Sequence, residues 1–371
     1  MKILTSREVL LPALLAVNGV VEKKQTMPIL SNILFSADPN GDLHIISTDL
    51  DIEMKVLCKV NVITPGSITL PARKLLDICR NLSDEQSLEI DCAESSSATL
   101  KAGRGRYKLQ SLPANQFPDL DDIDYHFEFS LAQYQLQTLL HHTQFAMASQ
   151  DVRYYLNGLL FELSPGQFRA VATDSHRITL SETAITFPIN ETAQFILPRK
   201  AIVELYRFLS DDESLINCRF AHNHMSFSLP NVMFTTKLID AQYANYERVL
   251  PDPSDPPTYD LTVPRAELQQ VLTRVAILSH EKIKGVSLTF EDGTLMVQSF
   301  NSENEEAEEV IDIDYQGERI ELSFNGSYVT DYLNTSNAEF VRFFSGKIND
   351  STVIQDANHQ NRTYVVMPMK Y

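Results

Sequence analysis

The 371-residue chain has no closely spaced cysteine pair, no long apolar run and far fewer basic than acidic residues. Its four cysteines, Cys58, Cys79, Cys92 and Cys218, form no CxxC pair, so they read as small core or surface thiols of a reducing cytoplasm. No apolar segment approaches the roughly 18 residues needed to span a bilayer. The opening "MKILTSREVL" has no signal-type apolar run behind a basic start, so the expectation is a cytoplasmic protein. With 31 Lys+Arg against 49 Asp+Glu, the net charge of -18 repels polyanions at long range. By itself that argues against nucleic acid and membrane surfaces; only a strongly uneven charge distribution would overturn it. A hydrophobic fraction of 43% and a charged fraction of 22% are those of a globular protein. The length suggests roughly two or three domains.

Two segments concentrate acid, proline and turn formers, "FPDLDDIDY" from Phe117 and "LPDPSDPPTYD" from Leu250. They cut the chain at 1–125, 126–252 and 253–371, and the pieces repeat one another. Shifting "TLPARKLLDICRNL" by 127 positions takes Leu75, Ile78, Cys79 and Leu82 onto Ile202, Leu205, Tyr206 and Leu209 of "ILPRKAIVELYRFL". That is the apolar face of a helix. The same shift takes Arg73, Asp77 and Arg80 onto Lys200, Glu204 and Arg207. A third copy, "FNGSYVTDYLNTS", keeps Val329, Tyr332 and Leu333 but not the basic residues. Each piece also opens on a helical pattern: "SREVLLPALLAV", whose start Pro12 obscures, then "LAQYQLQTLLHHTQFA" and "PRAELQQVLTRVAIL". Alternating stretches with Asp-Gly turns predict antiparallel hairpins between the helices. Each repeat is thus an α+β unit of two helices and about eight short strands.

"TDSHR" brings Asp174, Ser175 and His176 together in sequence, which raises the alternative of a hydrolase. Triad members meet from separate elements, however, and strand neighbours point to opposite faces. Its counterpart "TDLDI" from Thr48 has neither Ser nor His. His222 and His224 of "AHNH" share a strand face without a third or fourth ligand nearby, and His141 and His142 lie among polar helix neighbours, so no metal or cofactor is expected. "ENEEAEEVIDID" lacks the glycine and alternating oxygen ligands of a calcium loop. "KAGRGRYKL" is a basic hairpin in the first repeat, and this acidic run lies in the third. The two would attract each other between copies placed head to tail, an arrangement that closes into a ring or grows a filament. Copies of Arg73/Arg80 and Lys200/Arg207 would then face one common surface, where local field rather than total charge governs phosphate binding. A repeat-built adaptor that does not touch DNA is the remaining alternative.

The passages "PARKLLDICR", "TQFAMASQDVRYYLNGLLFE", "VATDSHR", "AILSHEKIKGV", "EEAEE" and "YVVMPM" together resemble the bacterial DNA sliding clamp family, the beta subunit of DNA polymerase III, across essentially the whole chain. The resemblance implies a non-catalytic processivity factor: a head-to-tail homodimer whose six domains close around duplex DNA, helices inside and sheets outside. Replicative polymerase, clamp loader and repair proteins would bind it through short linear motifs. Carried over by position, Lys24, Arg73, Arg80, Gln150, Tyr154, Tyr155, Arg199 and Lys200 face DNA. Helix phase and charge add Arg207, Lys282 and Lys284. At the subunit junction Tyr107 and Leu109 would meet Ile277 and Leu278, with Lys74, Arg104 and Arg106 near Glu303, Glu305, Glu306, Glu308 and Glu309.

The family's partner pocket lies between repeats two and three. It maps onto Arg153, Leu156, Thr173, His176, Arg177, Ile178, Ala244, Arg248 and Val249, and onto Val366, Met367, Pro368 and Met369 of the terminal "TYVVMPMKY". Ala244 stands where the family commonly has proline, Ser175 where it usually has glycine, and Tyr371 is an unusual last residue. Methionines suit such a pocket because flexible, polarizable side chains repack around different apolar motifs.

Overall fold

The computed structural model describes the chain apart from residues 23–26, 95, 119, 121, 122, 187–190, 253, 255, 347–350, 358–360, 370 and 371, and apart from the side chains of residues 93 and 94. Lys24 and Tyr371 therefore lie outside the described residues. The first repeat runs β1 (Lys2–Ser6), α1 (Arg7–Asn18), β2 (Asn32–Ala37), β3 (Asp42–Thr48), β4 (Ile52–Lys59), β5 (Asn61–Thr64), β6 (Gly66–Pro71), α2 (Ala72–Arg80), β7 (Ser87–Glu94), β8 (Ser97–Ala102) and β9 (Gly105–Gln110). The second runs β10 (Phe127–Ala132), α3 (Gln133–Thr143), β11 (Gly158–Ser164), β12 (Gln167–Thr173), β13 (Arg177–Ala184), β14 (Ala193–Pro198), α4 (Arg199–Phe208), β15 (Leu215–Phe220), β16 (His224–Leu229) and β17 (Val232–Lys237). The third runs β18 (Asp260–Pro264), α5 (Arg265–Val275), β19 (Gly285–Glu291), β20 (Thr294–Phe300), β21 (Glu306–Asp312), β22 (Ile320–Asn325), α6 (Gly326–Asn334), β23 (Phe340–Ser345), β24 (Thr352–Asp356) and β25 (Arg362–Val366). The order strand, helix, strands, helix, strands thus occurs three times, giving three α+β domains with antiparallel sheets. Among the described residues no helix is long and apolar enough to cross a membrane.

Strand-to-helix junctions are set by local chemistry. Pro71 before α2 and Pro264 before α5 hold φ at -62° and -60°, and Pro198 precedes α4. The fixed ring angle needs no adjustment there, and the missing N–H removes an unsatisfied donor. At α1 and α6 the caps are polar instead: Ser6 accepts from the Val9 N–H, and Asn325 from the Ser327 N–H. α1 begins at Arg7 and carries Pro12 inside it. α2 buries Ala72, Leu75, Leu76 and Cys79 and turns Arg73, Lys74, Asp77 and Arg80 to solvent. It ends at Arg80, so Leu82, taken above as part of its apolar face, lies beyond the helix.

The chain divides into two compact units, residues 1–134 with 203–238, and residues 135–202 with 239–371. In the first unit, an eight-stranded sheet runs β10-β15-β16-β17-β4-β3-β2-β6, four strands from the second repeat continued by four from the first. The join is the β17–β4 ladder, from Val232 opposite Val56 to Thr236 opposite Ile52. The second unit has β14-β11-β12-β13-β25-β24-β23-β18, again four strands from each of two repeats, joined by β13 and β25. The remaining sheets are β5-β1-β7-β8-β9, wholly from the first repeat, and β21-β20-β19-β22, wholly from the third.

Hydrogen bonding repeats along with the elements. Thr48 Oγ1 donates to the Ile52 carbonyl and accepts from the Leu50 N–H, while Asp49 Oδ1 accepts from the Asp51 and Ile52 N–H groups. Thr173 and Asp174 make the same four bonds with Arg177, Ser175 and His176. The third residue of each turn is left-handed, Leu50 at φ +81° and Ser175 at φ +73°. In the third repeat Asn301 Oδ1 takes the aspartate's place, accepting from Glu303 and Glu305. Buried Ser47 and Ser299 donate to the Val17 and Val275 carbonyls, satisfying acceptors that the last turns of α1 and α5 leave open.

At Gly158, opposite Pro198 in the β11–β14 ladder, an added Cβ would sit 2.5 Å from the Leu197 carbonyl oxygen and 3.0 Å from Ile196 Cγ2. Since the nearest atom is backbone, Gly158→Ala is expected to cost about 1–3 kcal/mol, measured by chemical denaturation.

Candidate functional site

In the second unit a cavity of about 150 Å³ is lined by Arg153, Tyr155, Leu156, Thr173, Ser175, Arg177, Ile178, Ala244, Asn245, Tyr246, Val249, Val365 and Met367. Four short pieces of backbone build it: the 3-10 turns Tyr154–Leu156 and Tyr246–Val249, the Thr173–Arg177 turn, and the chain leaving β25. Its walls are continuous with a buried cluster that includes Leu160, Val171, Ile178, Ile196, Tyr243, Tyr246 and Val365. A small apolar hollow with a few fixed polar groups is suited to binding.

Arg177 is the most heavily committed side chain in the wall, with 8% of it exposed. Its Nε donates to Asp174 Oδ2 at 3.1 Å, Nη1 to Asp331 Oδ2 at 2.6 Å and Nη2 to the Phe145 carbonyl at 2.9 Å. The guanidinium also lies 4.3 Å from the centre of the Tyr328 ring. One cation therefore ties the Thr173–Arg177 turn to α6 of the third repeat. On the opposite wall, the Tyr246 hydroxyl donates to Glu162 Oε1 at 2.9 Å and accepts from Arg169 Nη1 at 3.0 Å. Arg169 bridges Glu162 and Glu182, each at 3.1 Å. Burial, ahead of these neighbours, pushes the Tyr246 phenol up to about 12. It thus stays a neutral donor throughout the physiological range.

The hydrolase alternative fails on geometry. Asp174 binds Arg177 and two backbone N–H groups. Ser175 Oγ accepts from Arg153 Nη2 at 3.0 Å, and the His176 ring stacks 6.5 Å from Tyr328. The three neighbours face three different partners, and "TDSHR" is the same turn that "TDLDI" makes.

Of the thirteen residues assigned to a pocket from sequence, the cavity gathers Arg153, Leu156, Thr173, Arg177, Ile178, Ala244, Val249 and Met367. His176 contributes its carbonyl, which accepts from the Met367 N–H at 2.9 Å. Arg248 is exposed beside Val249, and Pro368 and Met369 are half-buried, with the Met369 N–H bonded to the Ser323 carbonyl at 2.7 Å. Val366 is a correction: it is fully buried in the third-repeat core, and Val365 lines the cavity in its place. Neighbours on β25 face opposite ways, and pairing of Arg177 with Val366 and Ile178 with Val365 decides which faces where. Sequence reasoning also missed Asn245 and Tyr246, which carry no signal beyond lying between Ala244 and Val249. Tyr155, assigned to DNA, lines this cavity.

Most described residues of the other two assigned sets lie at the surface. Arg73 and Arg80 are exposed on α2, with Arg80 4.0 Å from Asp77. Arg207 is held by Glu204 at 3.0 Å, and Arg199 donates to the Met147 carbonyl at 2.8 Å beside half-buried Lys200. Gln150, Tyr154, Lys282 and Lys284 are exposed, and the Tyr154 hydroxyl donates to the Asp240 carbonyl at 3.4 Å. Lys74 on α2 and Arg104, Arg106 and Tyr107 at β9 are exposed, whereas Leu109 is buried. Ile277 is 77% exposed beside half-buried Leu278. Glu303, Glu305, Glu306 and Glu308 are exposed on and before β21, but Glu309 is bound by Arg274 at 2.8 and 2.5 Å. Its charge is met within the chain.

Three repeated α+β domains with sheets shared between them, and a hollow of committed side chains where a triad had been conceivable, define a repeat-built scaffold. Three families cover nearly all of it: the DNA polymerase III beta subunit N-terminal domain over residues 1–121, its central domain over 130–245 and its C-terminal domain over 247–370. Relatives include the Beta sliding clamp of Pseudomonas aeruginosa, 41% identical over 367 residues and 98% of either chain, and that of Escherichia coli K12, 39% identical over 374 residues and 100% of either. Among solved structures, the DNA polymerase III subunit beta of Pseudomonas aeruginosa superposes with a TM-score of 0.93 at 39% identity, and the pol III beta of Caulobacter crescentus with 0.91 at 32%, both over 100% of each chain. The chain belongs to the DNA polymerase III beta subunit family, the bacterial beta sliding clamps. It is a processivity factor of that polymerase, a replication subunit that does no chemistry of its own.

Removing the Arg177 guanidinium should leave Asp174 and Asp331 without the cation they share. Arg177→Ala is expected to destabilise the protein by about 3 kcal/mol, the lower end for a broken buried pair because Asp331 keeps solvent access, read as a shift in urea midpoint.

Proposed function

We propose that two copies of this chain join head to tail into a closed ring threaded by duplex DNA, and that the hollow in the second unit receives short linear motifs of the replicative polymerase, the clamp loader and repair proteins. The observation that carries the ring is the uneven sharing of sheets. Where repeats one and two meet, and where two and three meet, four strands are continued by four. The first repeat's other sheet ends on β9 and the third repeat's on β21. Edge strands offer unpaired N–H and C=O groups. Pairing β9 of one copy with β21 of the next would give a third composite sheet at each of two joints, closing the assembly.

Charge favours that pairing over β9 with β9. β9 brings Arg106 and Lys108, with Arg104 before it, and the strand it would meet brings Glu306 and Glu308, with Glu303 and Glu305 before it. Because Glu309 already has Arg274, it contributes little to the joint. Exposed Tyr107 and Ile277 supply apolar area at the same place. Domain limits at 125 and 252 fit this scheme, with three domains per copy and six per ring.

Duplex DNA would meet the helix faces that carry Arg73, Arg80, Arg199, Lys200 and Arg207, together with Lys24, Gln150, Tyr154, Lys282 and Lys284. Several of these cations are already partnered in the chain, which suits contacts that must form and break as the ring moves. Loose phosphate contacts hold without base readout, and sequence readout would arrest sliding. Such a protein would reside in the cytoplasm with the nucleoid.

Loaded onto nicked circular plasmid by a compatible clamp loader, the protein should co-elute with DNA on gel filtration and be lost once a restriction enzyme linearises the circle. Retention on the linear product would rule out encirclement. Truncation of Met367–Tyr371 should leave the loaded ring intact yet abolish binding of a polymerase-derived peptide; unchanged affinity would remove the hollow as docking site.

A further inference from the structure

Ser175 occupies a left-handed conformation, φ +73°, which costs a non-glycine residue strain. Leu50 stands at φ +81° in the matching turn of the first repeat, so the turn's own hydrogen bonds impose that geometry whatever side chain is present. The hydroxyl is what distinguishes Ser175. Its Oγ accepts from Arg153 Nη2 at 3.0 Å across the mouth of the hollow.

Arg153 is held from its other edge by Asp151. The Arg153 Nε donates to Asp151 Oδ1 at 3.0 Å, Nη2 donates to Oδ2 at 2.7 Å, and the Arg153 backbone N–H donates to Oδ1 at 2.8 Å. The side-chain bonds first, then the backbone bond, lower the Asp151 carboxyl to about 2, so the pair is ionised at any physiological pH. A guanidinium has five N–H donors. Asp151 takes the Nε donor and one of Nη2, and Ser175 takes the second of Nη2. Among the described residues nothing takes the two Nη1 donors, which then remain for a ligand. Asp151 alone would let the guanidinium rock about its salt bridge, whereas an acceptor on a second chain segment fixes the plane of the fork.

We propose that Ser175 is a positioning residue for peptide binding: it locks Arg153 so that the Nη1 edge is presented at the mouth of the hollow to an acceptor oxygen of the bound peptide. This rests on the hollow being the peptide site proposed above. Because Asp151 already neutralises Arg153, the edge acts as a directional donor more than as a net positive charge. A backbone carbonyl suits it better than a carboxylate.

The test is a fluorescence-anisotropy titration of the full-length protein with a fluorescein-labelled peptide carrying the clamp-binding segment of the cognate replicative polymerase. Ser175→Ala keeps the strained backbone and removes the acceptor; it should weaken binding about 3- to 10-fold, through faster release, with the melting temperature unchanged. Ser175→Gly should weaken binding equally while raising or preserving the melting temperature, which separates the effect from misfolding. Ser175→Asn should restore affinity, since asparagine tolerates the left-handed region and offers a carbonyl acceptor. Arg153→Ala should weaken binding at least as much as Ser175→Ala, and the double variant no more than Arg153→Ala alone. Wild-type affinity in Ser175→Ala, or additive losses in the double variant, would overturn the proposal while leaving the peptide site standing. A wild-type protein that encircles DNA but ignores the peptide would overturn both.

Discussion

Between β13 and β25 the backbone ladder runs from Ser181 opposite Arg362 to Arg177 opposite Val366, and it carries the second repeat into the third as one sheet. That register places one wall of the hollow. It sets Val365 toward Ile178 and the cavity, sends Val366 and Tyr364 into the third-repeat core, and brings the Met367 N–H to the His176 carbonyl. A slip of one residue would exchange the two faces of β25, filling the hollow and opening the core together. The ladder is long-range, but the side chains around it add specificity: Arg177 at its end reaches Asp331 on α6, so the same residue pairs through its backbone and locks through its guanidinium.

A repeated turn serves two purposes in this chain. Thr48–Ile52 and Thr173–Arg177 share four hydrogen bonds and a left-handed third residue, which makes the threonine and aspartate structural in both. What differs is the remaining side chains. In the first repeat they are Leu50, Asp51 and Ile52; in the second, Ser175, His176 and Arg177, which hold Arg153, stack on Tyr328 and bind Asp331. A fixed backbone with interchangeable side chains lets a repeat line a hollow without disturbing its fold.

Much of this architecture was legible in the sequence, because it is written in local periodicity. Six helices follow their apolar spacing, and the prolines and caps at their starts are local signals. The limits are equally physical. Leu82 continued the apolar spacing of α2, but the helix ends at Arg80, where the chain turns toward β7. Val365 and Val366 are indistinguishable until their partner strand is known. Tyr155 could serve a DNA surface or a hollow, and its ring lines the hollow, packed 6.3 Å from Tyr154 and 6.4 Å from Tyr243. Glu309 looks like its acidic neighbours, yet Arg274, thirty-five positions earlier in the chain, has already claimed it. The facing of Val365 and Val366 and the pairing of Glu309 are each fixed by a partner distant in sequence.

Because four-strand half-sheets from neighbouring repeats fuse into single eight-stranded ones, the boundaries of the sequence repeats and of the compact units do not coincide. The middle repeat has its strands β11–β14 in one compact unit and β15–β17 in the other. A gene fragment cut at either acidic linker would end neatly between repeats but would sever a hydrogen-bonded ladder, leaving a raw strand edge on each side. A protease that nicked the second linker would leave the third repeat still stitched to the second by β13 and β25.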